Sequence, residues 1–342
     1  MRILFIKLRH IGDSLLLTPT LVATKQAYPE AEIWVLVRRS CDAILDGCPE
    51  VDRVLRTAHP DPARRRLRDA LHDLRLLIHL RLTRFDYVFE LTDNNRARVF
   101  ALAARSPMRC ANHHPSLRPA QERRFHHVTR THRYRAHQVL RDYVCPQDVL
   151  GLPDDPPPLR FAPERMRPWP APQEPYAVVH FHTRWAYKSW PLERWENLLR
   201  SVLEFVPRVV LSCGPGQEEV AETRLLRERL GDRCVSTDGQ ARWSQLAWIL
   251  SRAAFFVGVD TAAMHLAAAT GCPTVCLFGP SPEFEYHPWK VQHWMIRPQD
   301  WLGDEPAAAI PRDDLMREIP VEKVLAACRE AWEHHLQVSS RR

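Results

Sequence analysis

Residues 151–175 hold nine prolines, at Pro153, Pro156, Pro157, Pro158, Pro163, Pro168, Pro170, Pro172 and Pro175. Proline lacks a backbone N–H and fixes φ, so a stretch this rich in it forms neither a helix interior nor a central strand. It runs between structured halves, and it divides a chain of 342 residues into two domains of ordinary size. The expected layout is an N-terminal domain over 1–152, a proline-rich linker over 153–175, a second domain over 176–320 and a closing helix over 321–342.

Strand and helix signals alternate on both sides of that stretch. Residues 3–8 read as a strand and 14–26 as a helix with Leu15, Leu16, Leu17 and Leu21 inward; 32–37 is a second strand, 41–46 a short helix and 51–55 a third strand. A helix over 63–82 leads to a strand over 85–91, whose exit Thr92-Asp93-Asn94-Asn95 is a polar loop, and 134–149 reads as a helix. After the prolines the rhythm restarts with strand 176–181, helix 192–205, strand 208–213 and helices 218–230 and 243–251. The predicted fold class is α/β, with two Rossmann-like doubly wound domains.

A hydrophobic fraction of 45% with 26% charged residues belongs to a globular protein. The opening MRILFIKLRH is broken by Lys7 and Arg9, too short and too charged for a signal peptide, and no stretch approaches the length of a membrane span, so the expected location is the cytoplasm. Nine cysteines without a C-x-x-C pair point to reduced thiols, with neither disulfides nor zinc. A net charge of +7 draws the protein to anions, which include nucleic acid, an acidic membrane surface and a phosphorylated glycolipid. Arg64, Arg65, Arg66, Arg68, Arg75, Arg81 and Arg84 crowd the 63–82 helix and its exit. Such charges ordinarily form a solvated face; the alternative is that they meet an anionic membrane or an acceptor's phosphates. Between 112 and 137, His113, His114, His126, His127, His132 and His137 show no helical i, i+4 pair backed by cysteine or carboxylate. A polar loop covering the binding cleft is expected there rather than a metal site.

Residues 255–281, FFVGVDTAAMHLAAATGCPTVCLFGPS, concentrate the chemistry. An apolar strand ends at Gly258-Val259-Asp260, Thr261 is placed to cap a small-residue helix over 262–269, and Gly271 and Pro273 stop it before a second strand over 274–278. Backbone N–H groups of Thr261, Ala262 and Ala263 at that helix start suit a phosphate, and Gly279 at the second strand exit permits a close main-chain approach. An ordinary βαβ unit has the same capping and turn residues.

Three stretches together resemble glycosyltransferase family 9, the ADP-heptose:lipopolysaccharide heptosyltransferases. Residues 258–281 are similar to its donor-binding signature, Ile6-Lys7-Leu8-Arg9-His10-Ile11-Gly12-Asp13 to its N-terminal loop, and His182-Thr183-Arg184-Trp185 with Lys188-Ser189-Trp190-Pro191 to its central motif. The spelling of the central motif is most similar to the type III members, which add a side-branch heptose. Order and spacing agree over nearly the whole chain, whereas 60–135 carries none of these motifs.

The resemblance implies GT-B architecture, two Rossmann-like domains facing a cleft with the closing helix packed back toward the N-terminal domain. It further implies inverting, metal-independent transfer of heptose from ADP-L-glycero-beta-D-manno-heptose to the inner core of lipopolysaccharide. Asp13 is then the base that deprotonates the acceptor hydroxyl, and Lys188 the cation for the departing diphosphate. Thr183, Arg184, Glu218, Asp260, Thr261, Ala262, His265 and Gly279 are the implied donor-binding residues, and Arg9, His10 and Asp93 the acceptor-binding ones. Each has a plainer use: Asp13 and Glu218 as acids in a first helical turn, and His265 in helix packing. Asp260 beside a diphosphate is repulsive unless it binds a hydroxyl or pairs with a cation such as Lys188. No D-x-D motif stands where metal-dependent glycosyltransferases carry one, and Asp154-Asp155 lies in the linker. No metal and no cofactor beyond the donor substrate are implied. The implied partners are a nucleotide-sugar donor, a phosphorylated glycolipid and a peripheral contact with the cytoplasmic membrane face, with no nucleic acid. Competing readings are another GT-B nucleotide-sugar enzyme with a different donor, an epimerase, a catalytically idle binding protein, and a basic nucleic-acid-binding protein. For the last, no helix-turn-helix, OB or RNP pattern is present.

Overall fold

The computed structural model describes residues 1–58, 66–130 and 136–340. The chain forms two compact units, Met1–Arg165 and Met166–Arg342. In the first, β1 (Arg2–Lys7), β2 (Glu32–Arg38), β3 (Arg53–Thr57), β4 (Tyr87–Glu90), β5 (Met108–Asn112) and β6 (His127–Thr129) make one parallel sheet in the order β3-β2-β1-β4-β5-β6. α1 (Ile11–Leu16) and α2 (Thr18–Ala27) follow β1, α3 (Leu67–Leu82) lies between β3 and β4, and α4 (Asn95–Ala103) joins β4 to β5. α5 (Pro119–Glu122) and α6 (Gln138–Leu150) flank β6. A parallel sheet covered on both faces needs continuous apolar strands, and Ile3, Leu4, Phe5 and Ile6 of β1 are fully buried.

The second unit repeats the plan. β7 (Tyr176–His180), β8 (Arg208–Leu211), β9 (Cys234–Ser236), β10 (Phe255–Val259), β11 (Thr274–Leu277) and β12 (His293–Ile296) are parallel in the order β12-β11-β10-β7-β8-β9. α7 (Leu192–Val202), α8 (Gln217–Leu230), α9 (Trp243–Leu250) and α10 (Ala262–Ala269) cover it, followed by the short α11 (Glu283–Tyr286), α12 (Gln299–Leu302) and α13 (Asp304–Ala309), and by α14 (Val321–Ser339). Counted from its own first strand, each sheet has the same order, and the winding reverses between the first and fourth strands. Open α/β sheets bind ligands outside the carboxyl ends of the strands at that reversal. The places to inspect are therefore the exits of β1 and β4, and of β7 and β10.

Several elements differ from expectation. Strands β5, β6, β9 and β12 and helix α4 are elements additional to those expected from sequence. The 112–137 segment is not a single polar loop, since it contains α5 and β6, with His127 paired to Cys110. His132, Arg64, Arg65 and the starts of the 63–82 and 134–149 helices lie outside the described residues. The proline-rich segment is partly packed chain rather than spacer. Leu159, Phe161 and Ala162 are buried, the Phe161 ring fills the space beside Gly47 that a Cβ would need, and the Ala162 N–H donates to the Gly47 carbonyl at 2.8 Å. The closing helix, α14, buries its i, i+3, i+4, i+7 face, Val324, Ala327, Cys328 and Ala331, in the core of the second unit. All nine cysteines are buried thiols. Among the described residues no helix is long and apolar enough to cross a membrane.

Candidate active site

In the first unit, the exits of β1 and β4 are neighbours, because Ile6 pairs with Glu90 in parallel register. The Thr92 hydroxyl ties them together, accepting the Leu8 N–H at 2.8 Å and donating to the Ile6 carbonyl at 3.1 Å. Asp13 lies in the first turn of α1, nearly buried, and its Oδ2 accepts the His10 backbone N–H at 3.1 Å. This is the helix-start role, and it uses one carboxylate oxygen. The other, Oδ1, accepts no hydrogen bond among the described residues and has the Arg9 guanidinium 3.9 Å away. Arg9 and Asp13 are thus brought together, while the His10 side chain is exposed at the helix N-cap.

Asp93 sits on the neighbouring loop with φ at +62°, the left-handed conformation that aspartate tolerates better than most residues. Two groups hold it there: its N–H donates to Glu90 Oε1 at 3.0 Å, and its carboxylate accepts from Arg141 at 3.3 Å. Burial and the nearby Asp93 charge push the Glu90 carboxyl up to about 8. Beneath them Lys7, fully buried, donates to Asp142 at 2.6 Å and to the Leu91 carbonyl at 3.2 Å. Burial outweighs Lys7 and lifts the Asp142 carboxyl to about 6. Ser116, from the histidine- and arginine-rich segment, donates to the Asp93 carbonyl at 3.1 Å. Sequence reading missed Glu90, Thr92, Arg141 and the Lys7–Asp142 pair. The available signal was a lysine and a glutamate ending otherwise apolar strands.

In the second unit the reversal lies between β7 and β10, paired His180 to Gly258. Gly258 is required there, because a Cβ would stand 2.6 Å from the His180 carbonyl oxygen. The chain leaves β7 through His182, Thr183 and Arg184 and turns tightly at Ala186–Lys188. That turn aims Lys188 at Asp260, at the exit of β10, with Nζ to Oδ2 at 2.6 Å. His265, buried one turn into α10, stands 4.0 Å from the other oxygen of Asp260. Thr261 occupies the N-cap position of α10, but its hydroxyl makes no capping bond, contrary to expectation, and is buried with no hydrogen-bond partner among the described residues. Lys188 is thus paired with the residue just before Thr261, at a helix start whose cap residue gives its N–H groups no side-chain hydrogen bond. Such a point suits an anion.

The remaining donor-site expectations fall around this point with different standing. Thr183 is half-buried and accepts the Trp185 N–H at 3.4 Å, whereas Arg184 is exposed, 5.5 Å from the Trp185 ring centre. Ala262 opens α10. Glu218 is exposed in the first turn of α8; its neighbour Glu219 turns inward and accepts the Gly214 N–H at 2.7 Å. Gly279 follows β11, and the room left by its missing side chain is taken by Met316, whose Sδ is 2.5 Å from where a Cβ would stand. Its missing side chain lets Met316 pack against the main chain there. Burial drives the His180 imidazole down to about 3 and the His182 imidazole to about 4, so both are neutral near pH 7. His182 bonds to the Thr223 hydroxyl at 2.9 Å. Among the described residues no group of three or more histidine, cysteine, aspartate or glutamate side chains is placed to hold a metal ion.

Solved structures share this architecture. The glycosyl transferase family 9 protein from Veillonella parvula superposes with a TM-score of 0.79 at 18% identity, covering 97% of each chain. The E. coli heptosyltransferase WaaC with ADP-2-deoxy-2-fluoro heptose superposes with a TM-score of 0.77 at 20% identity, over 96% of this chain and 99% of that one. The fold is that of a GT-B glycosyltransferase. Lipopolysaccharide heptosyltransferase 3 of E. coli K12 is 24% identical over 301 residues, 84% of this chain and 86% of its own length. The model of glycosyltransferase family 9 (heptosyltransferase) matches residues 74–305, more than half of the chain, and the chain belongs to that family.

Proposed function

We propose that this glycosyltransferase moves heptose from ADP-L-glycero-beta-D-manno-heptose to the inner core of lipopolysaccharide, inverting the anomeric centre and needing no metal ion. The carrying observation is the Lys188–Asp260 pair at the start of α10, at the winding reversal of the second sheet. Lys188 and the α10 N–H groups take the charge that builds on the diphosphate as the bond to the anomeric carbon breaks. Asp260, neutralised by Lys188, is left to accept sugar hydroxyls together with His265, and the Thr261 hydroxyl has a free valence for a phosphate oxygen. Glu218, at the exit of β8, reaches the ribose hydroxyls. Asp13 Oδ1 receives the acceptor proton as the new glycosidic bond forms. Arg9, His10 and Asp93 line the acceptor side. The likeness to heptosyltransferase 3 supports a side-branch heptose as the group added. The acceptor is lipid-anchored, so the protein works in the cytoplasm against the inner membrane face.

The test is to incubate the protein with ADP-heptose and truncated lipopolysaccharide cores and weigh the products. One added heptose per core, with ADP released, is the expected result. ADP-heptose left intact with every core, while another nucleotide sugar is consumed, would replace the donor assignment.

A further inference from the structure

Helix α3 is inside out. Its inward face carries two carboxylates, Asp69 and Asp73, beside Leu76 and Leu80, while Leu67, Leu71, Leu74, Ile78 and Leu82 are 79%, 46%, 53%, 51% and 74% exposed. Positions i, i+4, i+7, i+11 and i+15 fall on one side of a helix, so these five make a continuous aliphatic stripe about 24 Å long. Among the described residues they are five of the twelve exposed large apolar side chains, and the other seven are scattered. A single exposed leucine is ordinary; a full-length stripe marks an interaction surface.

The helix cannot roll to hide it. Asp69 accepts the Arg66 N–H at 2.9 Å and faces Arg39 at 3.4 Å, and Asp73 accepts the Ala58 N–H at 2.8 Å and the Arg96 guanidinium at 3.0 Å. Turning the stripe inward would break the three contacts to Arg39, Ala58 and Arg96 and expose Leu76 and Leu80. The outer face is also positively framed: Arg68 and Arg75 lie along one edge of the stripe and Arg81 along the other, all exposed. An aliphatic stripe edged by arginines matches the boundary between headgroups and acyl chains in an anionic bilayer.

We propose that the outer face of α3 is the surface by which the protein lies on an anionic lipid bilayer, with the stripe among the acyl chains and the arginines on lipid phosphates. This names the surface behind the membrane contact in the proposed function and rests on that reading. It also puts a second use on the arginines of this helix, which serve the membrane and not only solvation.

The experiment uses the full chain, sedimented with vesicles of phosphatidylcholine alone or mixed with phosphatidylglycerol. The parent should bind the phosphatidylglycerol vesicles and release as salt rises. The triple variant L71S/L74S/I78S should bind them about tenfold or more weakly, because its lost aliphatic area is what the bilayer would bury. Its melting temperature should fall by no more than a few degrees, since these side chains are about half exposed, lie outside the buried core cluster and lose only helix propensity and partial contacts. Equal binding by parent and variant would overturn the proposal. So would a parent dimer that the variant dissociates without a change in vesicle binding, which would make a second copy the occupant. Transfer from ADP-heptose to a lipid-free core oligosaccharide, measured on the same samples, separates the two readings. No transfer by a parent that binds vesicles defeats the sugar assignment alone, and full transfer by a parent that binds no vesicles defeats the surface alone.

Discussion

Asp260 is a carboxylate in a place that otherwise favours anions, and Lys188, 2.6 Å away, is what makes it tolerable there. Lys188→Ala removes a cation from the diphosphate and leaves Asp260 uncompensated, so both consequences oppose ADP binding. A charge-assisted contact contributes about 1.5–3 kcal/mol, so ADP affinity measured by calorimetry should fall by about ten- to a hundredfold, with turnover falling too. Adding Asp260→Asn to Lys188→Ala should recover part of the ADP affinity, because the uncompensated charge is gone. Unchanged affinity in Lys188→Ala would move the phosphate site elsewhere. Lys188, Asp260, Thr261 and Asp13 were singled out because each lies in a short motif. Glu90, Arg141 and Asp142 were not, because their roles arise from meetings between distant segments: Lys7 and Asp142 are 135 residues apart. No local pattern encodes such a contact.

Element reading succeeded where an element is long and apolar. β1, β2, β7 and β10, and the small-residue helix α10 with its stop at Gly271, follow from periodicity and capping residues. Strands β6 and β9, three residues each, and β5, which carries Arg109 and Asn112, fail that test. Helix α3 was found, but which face it buries is set by Arg39, Ala58 and Arg96 in other elements, and no property of its own sequence reports that. Strand β7 and its exit make a separate prediction. His180 and His182 are held far below the usual histidine value of 6.5 by burial, with the His182 charge adding to the effect at His180. Between the folded and unfolded values the unfolded chain binds more protons, so their contribution to stability is complete above pH 6.5 and is lost as pH falls toward about 4 and then 3. Each contributes up to about 1.4 kcal/mol per pH unit in its window. Urea midpoints between pH 4 and 7 should therefore fall with acidity in the parent and fall less steeply in His180→Gln. Parallel pH profiles would show that the burial of His180 carries no such linkage.

At the scale of the molecule, one topology occurs twice and each copy uses its own winding reversal: β1 and β4 present Arg9, Asp13 and Asp93, while β7 and β10 present Lys188, Asp260 and Thr261. The fold class was legible from the alternation of elements. The packing of Phe161 into the first unit was not, because a proline-rich stretch has no periodicity to report burial. Such a division of labour has two consequences. If positive charge for the leaving group comes from Lys188 and a helix start, as proposed, turnover at saturating donor should be the same with and without excess EDTA. Loss of activity in EDTA that magnesium restores would overturn the metal-free mechanism. The second consequence is that the base and the nucleotide site are separable by mutation. Asp13→Asn keeps the shape of the side chain and still accepts the His10 N–H, so stability should change by about 1 kcal/mol or less. It removes the basicity, however, and general-base catalysis contributes roughly two to four orders of magnitude. The decisive measurement is therefore heptose turnover and ADP affinity side by side in the parent and in Asp13→Asn. The account predicts a kcat lower by roughly two to four orders of magnitude with ADP affinity unmoved. A variant that melts slightly lower but transfers heptose at close to the parent rate would contradict it.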